Sequence, residues 1–358
     1  MSFIDNIEIK NFKSIRHQKI EGCKRINVFV GYPNVGKSNI LEALSLVSYI
    51  RNDSQNISYK HLCRFKELID VFNDGDKKKI ADVVVDDFLF SLIYDSKNSV
   101  KFEIQDLKIE KRNIKITTPE SAAGIKSGIN KKFVIDRNGT LKHVDSKGNS
   151  IYKVPVLKKY QFVGSSFDTS VEPTFLVSPF GDNLSQVIRH NNKLRKECGE
   201  LFYDYNLKLV FDEHENILIQ KPLDEYSAFQ FSLSQVADTL QRLIFHKAAI
   251  NSNENTVLLF EEPEAHMFPP YVSKFTGDIV YDENNNQFFL TTHSPFVLND
   301  LLDNAESSDL AIYVVSYKKD TGETLIHRMT ETDMQEAYQF GYDFFMNINQ
   351  FIPQETNG

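Results

Sequence analysis

The sequence predicts an α/β fold, a mixed central sheet flanked by helices, with an antiparallel β subdomain and a helical lid or arm inserted in it. Three observations predict it. Near the N-terminus, "VFVGYPNVGKSNILEAL" (Val28 to Leu44) is an apolar strand, a glycine-rich turn and a helix in succession. Further on, "TVLLF" and "NQFFLTTHS" are dense apolar runs that stop abruptly at polar residues, as buried strands do. Between these landmarks, residues 85–165 contain several short strand-like runs and the hairpin dipeptide Asn138-Gly139.

The elements follow in order. "FIDNIEIKNF" alternates apolar and polar residues and reads as a first strand, and "RINVFVG" as a buried strand feeding a turn. From Lys37, residues Ile40, Leu41, Leu44, Val47 and Ile50 recur at helical spacing. "FLFSLIYD", "VKFEIQ" and "NIKITT" read as strands, and "KKFVIDRNGTLKHVDSKGNSIYKV" as a hairpin. A helix opens near Asp182, and "LKLVFDEHENILIQ" is a second hairpin. Helical periodicity returns in "SQVADTLQRLIFHKAAI" through Val236, Leu240, Leu243, Ile244 and Ala248. A short helix starts at about Pro295; "DLAIYVVSY" and "ETLIHRM" close the sheet, and "TDMQEAYQFGYDFFMNI" is a terminal helix.

Bulk properties bound the function. The chain has 358 residues, 41% hydrophobic and 25% charged, ordinary for a soluble globular protein. No run reaches the ~18 apolar residues of a membrane span, and "MSFIDNIEIK" has no signal-peptide look, so a cytoplasmic protein without a membrane partner is expected. Cys23, Cys63 and Cys198 are too sparse for a disulfide framework or a thiolate zinc site. Net charge is −8, which lends no support to a nucleic-acid partner without excluding one. The basic run from Lys108 to Lys132, including Lys131 and Lys132, is a local patch that reads first as solvated strand edges.

Gly31-x-x-x-x-Gly36-Lys37-Ser38 fits the phosphate-binding loop, and each residue type has a task. Glycines let backbone N–H groups turn inward around phosphate oxygens. The helix that starts at Lys37 adds its unpaired N–H groups and its dipole. Lys37 is placed to reach the β- and γ-phosphates, and the Ser38 hydroxyl to hold Mg²⁺. Gly31, Asn34, Val35, Gly36, Lys37, Ser38 and Asn39 are therefore the candidate nucleotide-binding residues.

The spelling of this loop is also that of a GTPase, which needs a D-x-x-G and an N-K-x-D besides. "FVIDRNG" fits the first but reads better as the hairpin turn; neither Asn130-Lys131 nor Asn192-Lys193 is followed by the base-reading Asp. The second half of the site lies elsewhere. The strand Thr256–Phe260 ends in Glu261-Glu262-Pro263, where one carboxylate suits Mg²⁺ and the next an attacking water. "FFLTTHSPFVL" then ends a strand on His293, at the sheet edge where ligands bind. Alone, the first would be an acidic surface turn and the second a structural histidine; with a P-loop they form a series.

That series resembles the ABC-type ATPase heads of the SMC, RecF and OLD group, broadly AAA family ATPases. "IDNIEIKNFKSIRHQKI" is similar to their opening strands and "GYPNVGKSNILEAL" to their Walker A segment. "LLFEEPEAHMFP" resembles Walker B with the D-loop, "TTHSPFVL" the His switch, and "FLVSPFGDNL" a segment of the shorter members. The resemblance is specific over about a third of the chain. It implies a single head over 1–358, with a P-loop lobe at 1–84, an inserted region at 85–230 and a C-terminal lobe at 231–358.

It also implies a mechanism. Two heads would pair head to tail around two ATP molecules; Ser38 and Glu261 would organise Mg²⁺, Glu262 would be the general base or would position the water, and His293 would sense the γ-phosphate. Glu261 stands where Asp is more usual. The signature segment departs further: in "FSLSQVADTLQRL", Ser234 and Asp238 hold the trans-contact places and no glycine follows the serine. An Asp there repels a γ-phosphate unless Mg²⁺ or Arg242 intervenes, so slow hydrolysis, or ATP used as a clamp rather than a fuel, is expected. Gln105 and Gln161 are alternative Q-loop residues. No heptads for a long coiled coil and no second acidic cluster of Toprim type are seen. The expectation is an ATPase that homo-oligomerises and gates a separate nuclease or toxin in bacterial anti-phage defence; the alternatives are a RecF-like DNA clamp and, behind it, a GTPase or a regulatory nucleotide-binding protein that touches no nucleic acid.

Overall fold

The computed structural model describes residues 3–51, 58–95, 99–107, 130–143, 154–164, 174–214 and 216–353. Its strands in chain order are β1 (Asn6–Phe12), β2 (Ile15–Glu21), β3 (Ile26–Val30), β4 (Ile80–Val85), β5 (Phe88–Asp95), β6 (Ser99–Asp106), β7 (Asn130–Ile135), β8 (Leu141–His143), β9 (Leu157–Tyr160), β10 (Lys208–Phe211), β11 (Ile217–Pro222), β12 (Ala228–Ser232), β13 (Val257–Glu261), β14 (Gln287–Thr292), β15 (Leu310–Tyr317) and β16 (Thr324–Arg328). The helices are α1 (Lys37–Arg51), α2 (Leu184–His190), α3 (Asn192–Glu200), α4 (Asp238–Asn251), α5 (Pro269–Val280), α6 (Pro295–Asn304), α7 (Glu331–Phe340) and the single turn α8 (Phe344–Asn347).

Among the described residues the strands form three sheets. The central one has the order β16-β15-β3-β14-β13-β9, parallel except for β16. β3 and β14 are buried along their whole length because both faces of the sheet are covered. Side-chain alternation divides the core in two. Phe29, Leu259, Phe289 and Tyr313 face α1 and the antiparallel sheet, with the Phe29 ring 5.1 Å from that of Tyr313. Val28, Leu258, Phe260, Leu290 and Ile312 face the helical layer of α2 and α4–α7.

Parallel pairing sends four strand ends to one edge. β14 pairs with β3 through Thr292 and Val30, with β13 through Thr291 and Glu261, and β13 pairs with β9 through Phe260 and Tyr160. The residues that follow these strands, or end them, are therefore neighbours although they lie up to 263 positions apart in the chain (His293 against Val30).

The antiparallel sheet, in the order β2-β1-β4-β5-β6-β7-β8, differs from the expected block at 85–165. It begins at β1, so the opening strands belong to it, and the boundary at 84/85 falls inside it. The cause is non-local: β1 pairs with β4 across the whole P-loop and α1, a partner that local periodicity does not reveal. "NIKITT" lies outside the described residues, as does most of the Lys108–Lys132 run; Lys132 pairs with Glu103 at 3.0 Å. The hairpin at Asn138-Gly139 is present between β7 and β8. Asp136 accepts from the N–H groups of Asn138 and Thr140, and Gly139 takes φ +81°. This turn is thus not a nucleotide-sensing D-x-x-G.

Two helices end earlier than their periodicity implies. The helix expected from Asp182 breaks at Asn191, whose side chain accepts from the Leu194 N–H and caps α3. Ahead of α4, Leu233–Gln235 is a 3₁₀ turn capped by Ser232, so Val236 precedes the α-helix. The terminal helix breaks at Gly341, φ +53°. The expected hairpin "LKLVFDEHENILIQ" is the β10–β11 pair.

Candidate nucleotide site

The loop between β3 and α1 is held by packing on both sides. Gly31 lies against the carbonyl of Val315, where a Cβ would come within 2.2 Å of the oxygen. At Gly36, φ is +98° and a Cβ would lie 2.2 Å from Thr324 Oγ1. Thr324 gives its proton to the Val35 carbonyl at 2.9 Å, and so accepts from Ser14 at 2.6 Å. Ser14 in turn accepts from Asn39 Nδ2 at 2.7 Å. Asn39 therefore braces the loop from outside through Ser14. Val35 is buried, and Asn34 is exposed at φ +63°.

The Lys37 ammonium folds back and donates to the carbonyls of Gly31 (3.0 Å) and Tyr32 (2.8 Å). Burial drives its pKa down to about 8, against the favourable charges of Glu262 and Glu264.

Beside the loop, the Ser38 side chain lies close enough to the Glu261 carboxylate to lower its pKa. Glu261 is also paired with Lys159 at 3.2 Å and with Arg64 Nη2 at 2.5 Å. Burial pushes its carboxyl up, but the Lys159 charge, the Ser38 hydroxyl and the Arg64 charge together hold it below the usual range. An ionised carboxylate beside a hydroxyl is a hard-oxygen pair of the sort Mg²⁺ takes, its remaining positions being filled by water and phosphate. Ser38 and Glu261 therefore fit the ion.

Arg64 and Lys159 were not foreseen. Arg64 bridges Glu261 to the wholly buried Glu42 of α1, at 2.8 Å, and Lys13 also pairs with Glu42. Lys159 is buried in β9 and gives a second hydrogen bond to the Leu62 carbonyl. The signal that would have found it is the pair Lys158-Lys159 inside an apolar run: one lysine on each face of a buried strand requires a partner for each. An open cleft of about 870 Å³ beside Arg64 is also lined by Lys13, Lys60 and Lys66 and by Asp70 and Asp74.

Glu262 follows β13 in a left-handed conformation, φ +43°, and its N–H donates to Thr291. His293 follows β14, and its Nε2 lies 3.2 Å from Glu262 Oε1. Burial, then the Lys37 charge, lower the His293 pKa, with Glu262 opposing, so the ring is neutral at neutral pH and donates to Glu262. Glu264, on the same turn as Glu262, accepts from Thr292 Oγ1 at 2.6 Å and from the His293 N–H at 3.1 Å.

Of the two candidate Q-loop residues, Gln161 directly follows β9 at the edge that carries Glu261. Gln105 lies in β6 of the antiparallel sheet. Ser234 and Asp238 are exposed and, among the described residues, no hydrogen bond or ion pair joins them to the P-loop, Glu261, Glu262 or His293. Asp238 is the first residue of α4 and pairs with Arg242 Nε at 2.6 Å; that guanidinium lies 4.9 Å over the Phe162 ring.

P-loop, strand-end carboxylates and strand-end histidine thus converge on one sheet edge from three separate segments. The structure is similar to an Smc head crystallised with the C-winged helix domain of ScpA, over 92% of this chain and 99% of that one, at a TM-score of 0.50 and 15% identity. The fold is that of an SMC head, the P-loop fold of ABC-type ATPases. Residues 181–299 of the head match the family model described as "AAA domain, putative AbiEii toxin, Type IV TA system". An ATP/GTP phosphatase of Helicobacter pylori is 49% identical over 41 residues, 12% of the head and 11% of that protein. A DNA replication and repair protein RecF of a Thermoanaerobacter species is 40% identical over 50 residues, 14% of each chain. The head thus aligns with 11–14% of these curated relatives' length. Among the described residues, no helix is long and apolar enough to cross a membrane.

Proposed function

We propose that this head binds and hydrolyses ATP with Mg²⁺, pairs head to tail around two nucleotides, and gates a separate effector, a nuclease or toxin, in bacterial anti-phage defence. The observation that carries the ATPase reading is the meeting of Ser38 with Glu261 and of Glu262 with His293 beside one P-loop. Lys37 exchanges its two loop carbonyls for phosphate oxygens. Ser38 and Glu261 would hold Mg²⁺, which would neutralise phosphate charge as the bond to ADP breaks. Glu262 accepts a proton from water as the water oxygen adds to the γ-phosphorus and the bond to ADP breaks. His293, already a donor, turns its N–H from Glu262 to a γ-phosphate oxygen.

Pairing with a second head would complete each site through the face of Ser234 and Asp238. Arg242 neutralises Asp238, which tempers its repulsion of the γ-phosphate; the missing glycine still supports slow turnover. The effector role rests on the family model that matches residues 181–299, whose description names a toxin system.

The test is Glu262→Gln with ATP and Mg²⁺, measured by light scattering after size exclusion. The expected mass is twice 41.3 kDa; a monomer with bound ATP would refute the sandwich. The segment shared with RecF favours a second reading, an ATP-dependent clamp on DNA. ATP-dependent retention on DNA that weakens with salt supports that reading over the effector, and co-purification of a neighbouring gene's product from the native host supports the effector.

A further inference from the structure

We infer that Glu264 is a positioning residue: its carboxylate fastens the loop that carries His293 to the turn that carries Glu262. The role it serves rests on the ATPase reading above; the fastening itself does not.

One oxygen of Glu264 organises three consecutive residues 28–30 positions away. Oε1 accepts from Thr292 Oγ1 at 2.6 Å and from the His293 N–H at 3.1 Å. Thr292 Oγ1 in turn accepts from the N–H of Ser294, at 2.9 Å, the residue that opens α6. The other oxygen, Oε2, is buried with no hydrogen-bond partner among the described residues. A carboxylate buried at this cost is not explained by stability, since an apolar residue of similar volume fills the same space without an orphan oxygen. Burial pushes its pKa up, against the hydrogen bonds from Thr292 and His293.

The turn needs such a fastening. Glu262 and His266, which bracket Glu264, both have left-handed φ, +43° and +61°. Backbone of this kind persists in non-glycine residues only when surrounding contacts over-determine it. At the far end Thr239 supplies them: its Oγ1 donates to the His266 carbonyl at 2.6 Å and accepts from the Phe268 N–H at 3.2 Å. Glu264 supplies them at the near end, and its partners are the residues that set the His293 ring. Released, the ring and the Glu262 carboxylate lose their fixed 3.2 Å relation. Misplacement of a reacting group by about 1 Å can cost on the order of 100-fold in rate.

The experiment uses the full chain with Glu264→Ala, Glu264→Gln and Thr292→Val. The amide oxygen of Gln can accept both hydrogen bonds, whereas Ala accepts neither and Val at 292 removes one donor. The first readout needs no nucleotide: the His293 ring is titrated by ¹³C-histidine NMR. Lys37 and Glu262 are the charged groups that face it. In Glu264→Ala the ring leaves its half-buried place, and its midpoint rises toward 6.5; Thr292→Val moves it the same way, and Glu264→Gln keeps it low. A Glu264→Ala curve that superimposes on the unsubstituted protein overturns the inference. The second readout is ATP turnover: kcat falls about 100-fold in Glu264→Ala with ATP affinity held within about threefold, and Glu264→Gln stays within about threefold of the parent. Equal kcat in parent and Glu264→Ala also overturns it, as does parallel loss of affinity and turnover in Ala and Gln, the mark of a merely structural group. If the parent hydrolyses no ATP, the ATPase reading fails, and the His293 titration still decides the role of Glu264.

Discussion

Lys159→Met probes the electrostatics around the Glu261 carboxylate, with the loss also of one hydrogen bond to the Leu62 carbonyl. Met keeps the stem volume and removes the charge that stands 3.2 Å from Glu261. Glu261 then keeps only the Ser38 hydroxyl and Arg64, whose side chain is 68% exposed and thus heavily screened. Removing one partner of a buried pair costs ~3–5 kcal/mol, and with two weaker partners left the lower end, about 3 kcal/mol, is appropriate. A chain of 358 residues has an unfolding entropy of about 0.75 kcal/mol/K, so the melting point falls by roughly 4 °C. The sign of the pH dependence follows from Glu261. Its folded pKa lies below the unfolded 4.5, so its contribution is present above 4.5 and lost as pH falls through the folded value. The gap between parent and variant, read by calorimetry, is therefore full at pH 7.5 and narrows on acidification below about 4.5. Equal melting points at pH 7.5, or a gap that does not narrow, would refute the reasoning.

Other outcomes follow from the same geometry. Because Lys37 titrates at about 8, ATP affinity falls by up to about tenfold per pH unit above that value, and calorimetry in two buffers shows proton uptake on binding. Gly36→Ala forces a Cβ onto Thr324 at φ +98° and is expected to weaken ATP binding at least about tenfold while the far-ultraviolet circular dichroism stays that of the parent. Asp238→Gly removes a negative charge from the proposed trans contact, and turnover is expected to rise about 3–10-fold; an unchanged rate places the contact elsewhere.

The parts of the head that local pattern can carry were legible in the sequence. Strand, glycine loop and helix at 26–51, the strand ending in Glu261-Glu262 and the strand ending at His293 each announce themselves within a dozen residues. Their order along the chain then implied their convergence. Long-range partnership was not legible. β1 finds β4 beyond α1, Arg64 reaches Glu261 across 197 positions, and Lys159 looks like an edge lysine until β13 is laid beside β9. Glu264 was hidden for another reason: in "EEPEAH" it reads as one more acid in a surface turn, and only the residues after β14 show what it holds. Asn39 carries the complementary lesson. Its place after the P-loop serine marks it for nucleotide, yet its amide braces the loop through Ser14 and Thr324.

Mg²⁺-dependent release of phosphate from ATP, by the parent and by Glu262→Gln at equal nucleotide occupancy, tests the central claim most directly. The expected result is slow release by the parent that stops on chelation of Mg²⁺ and falls at least about 100-fold in the variant, with ATP still bound. Release that persists without Mg²⁺, or that is the same in both proteins, would contradict the roles assigned to Ser38, Glu261 and Glu262.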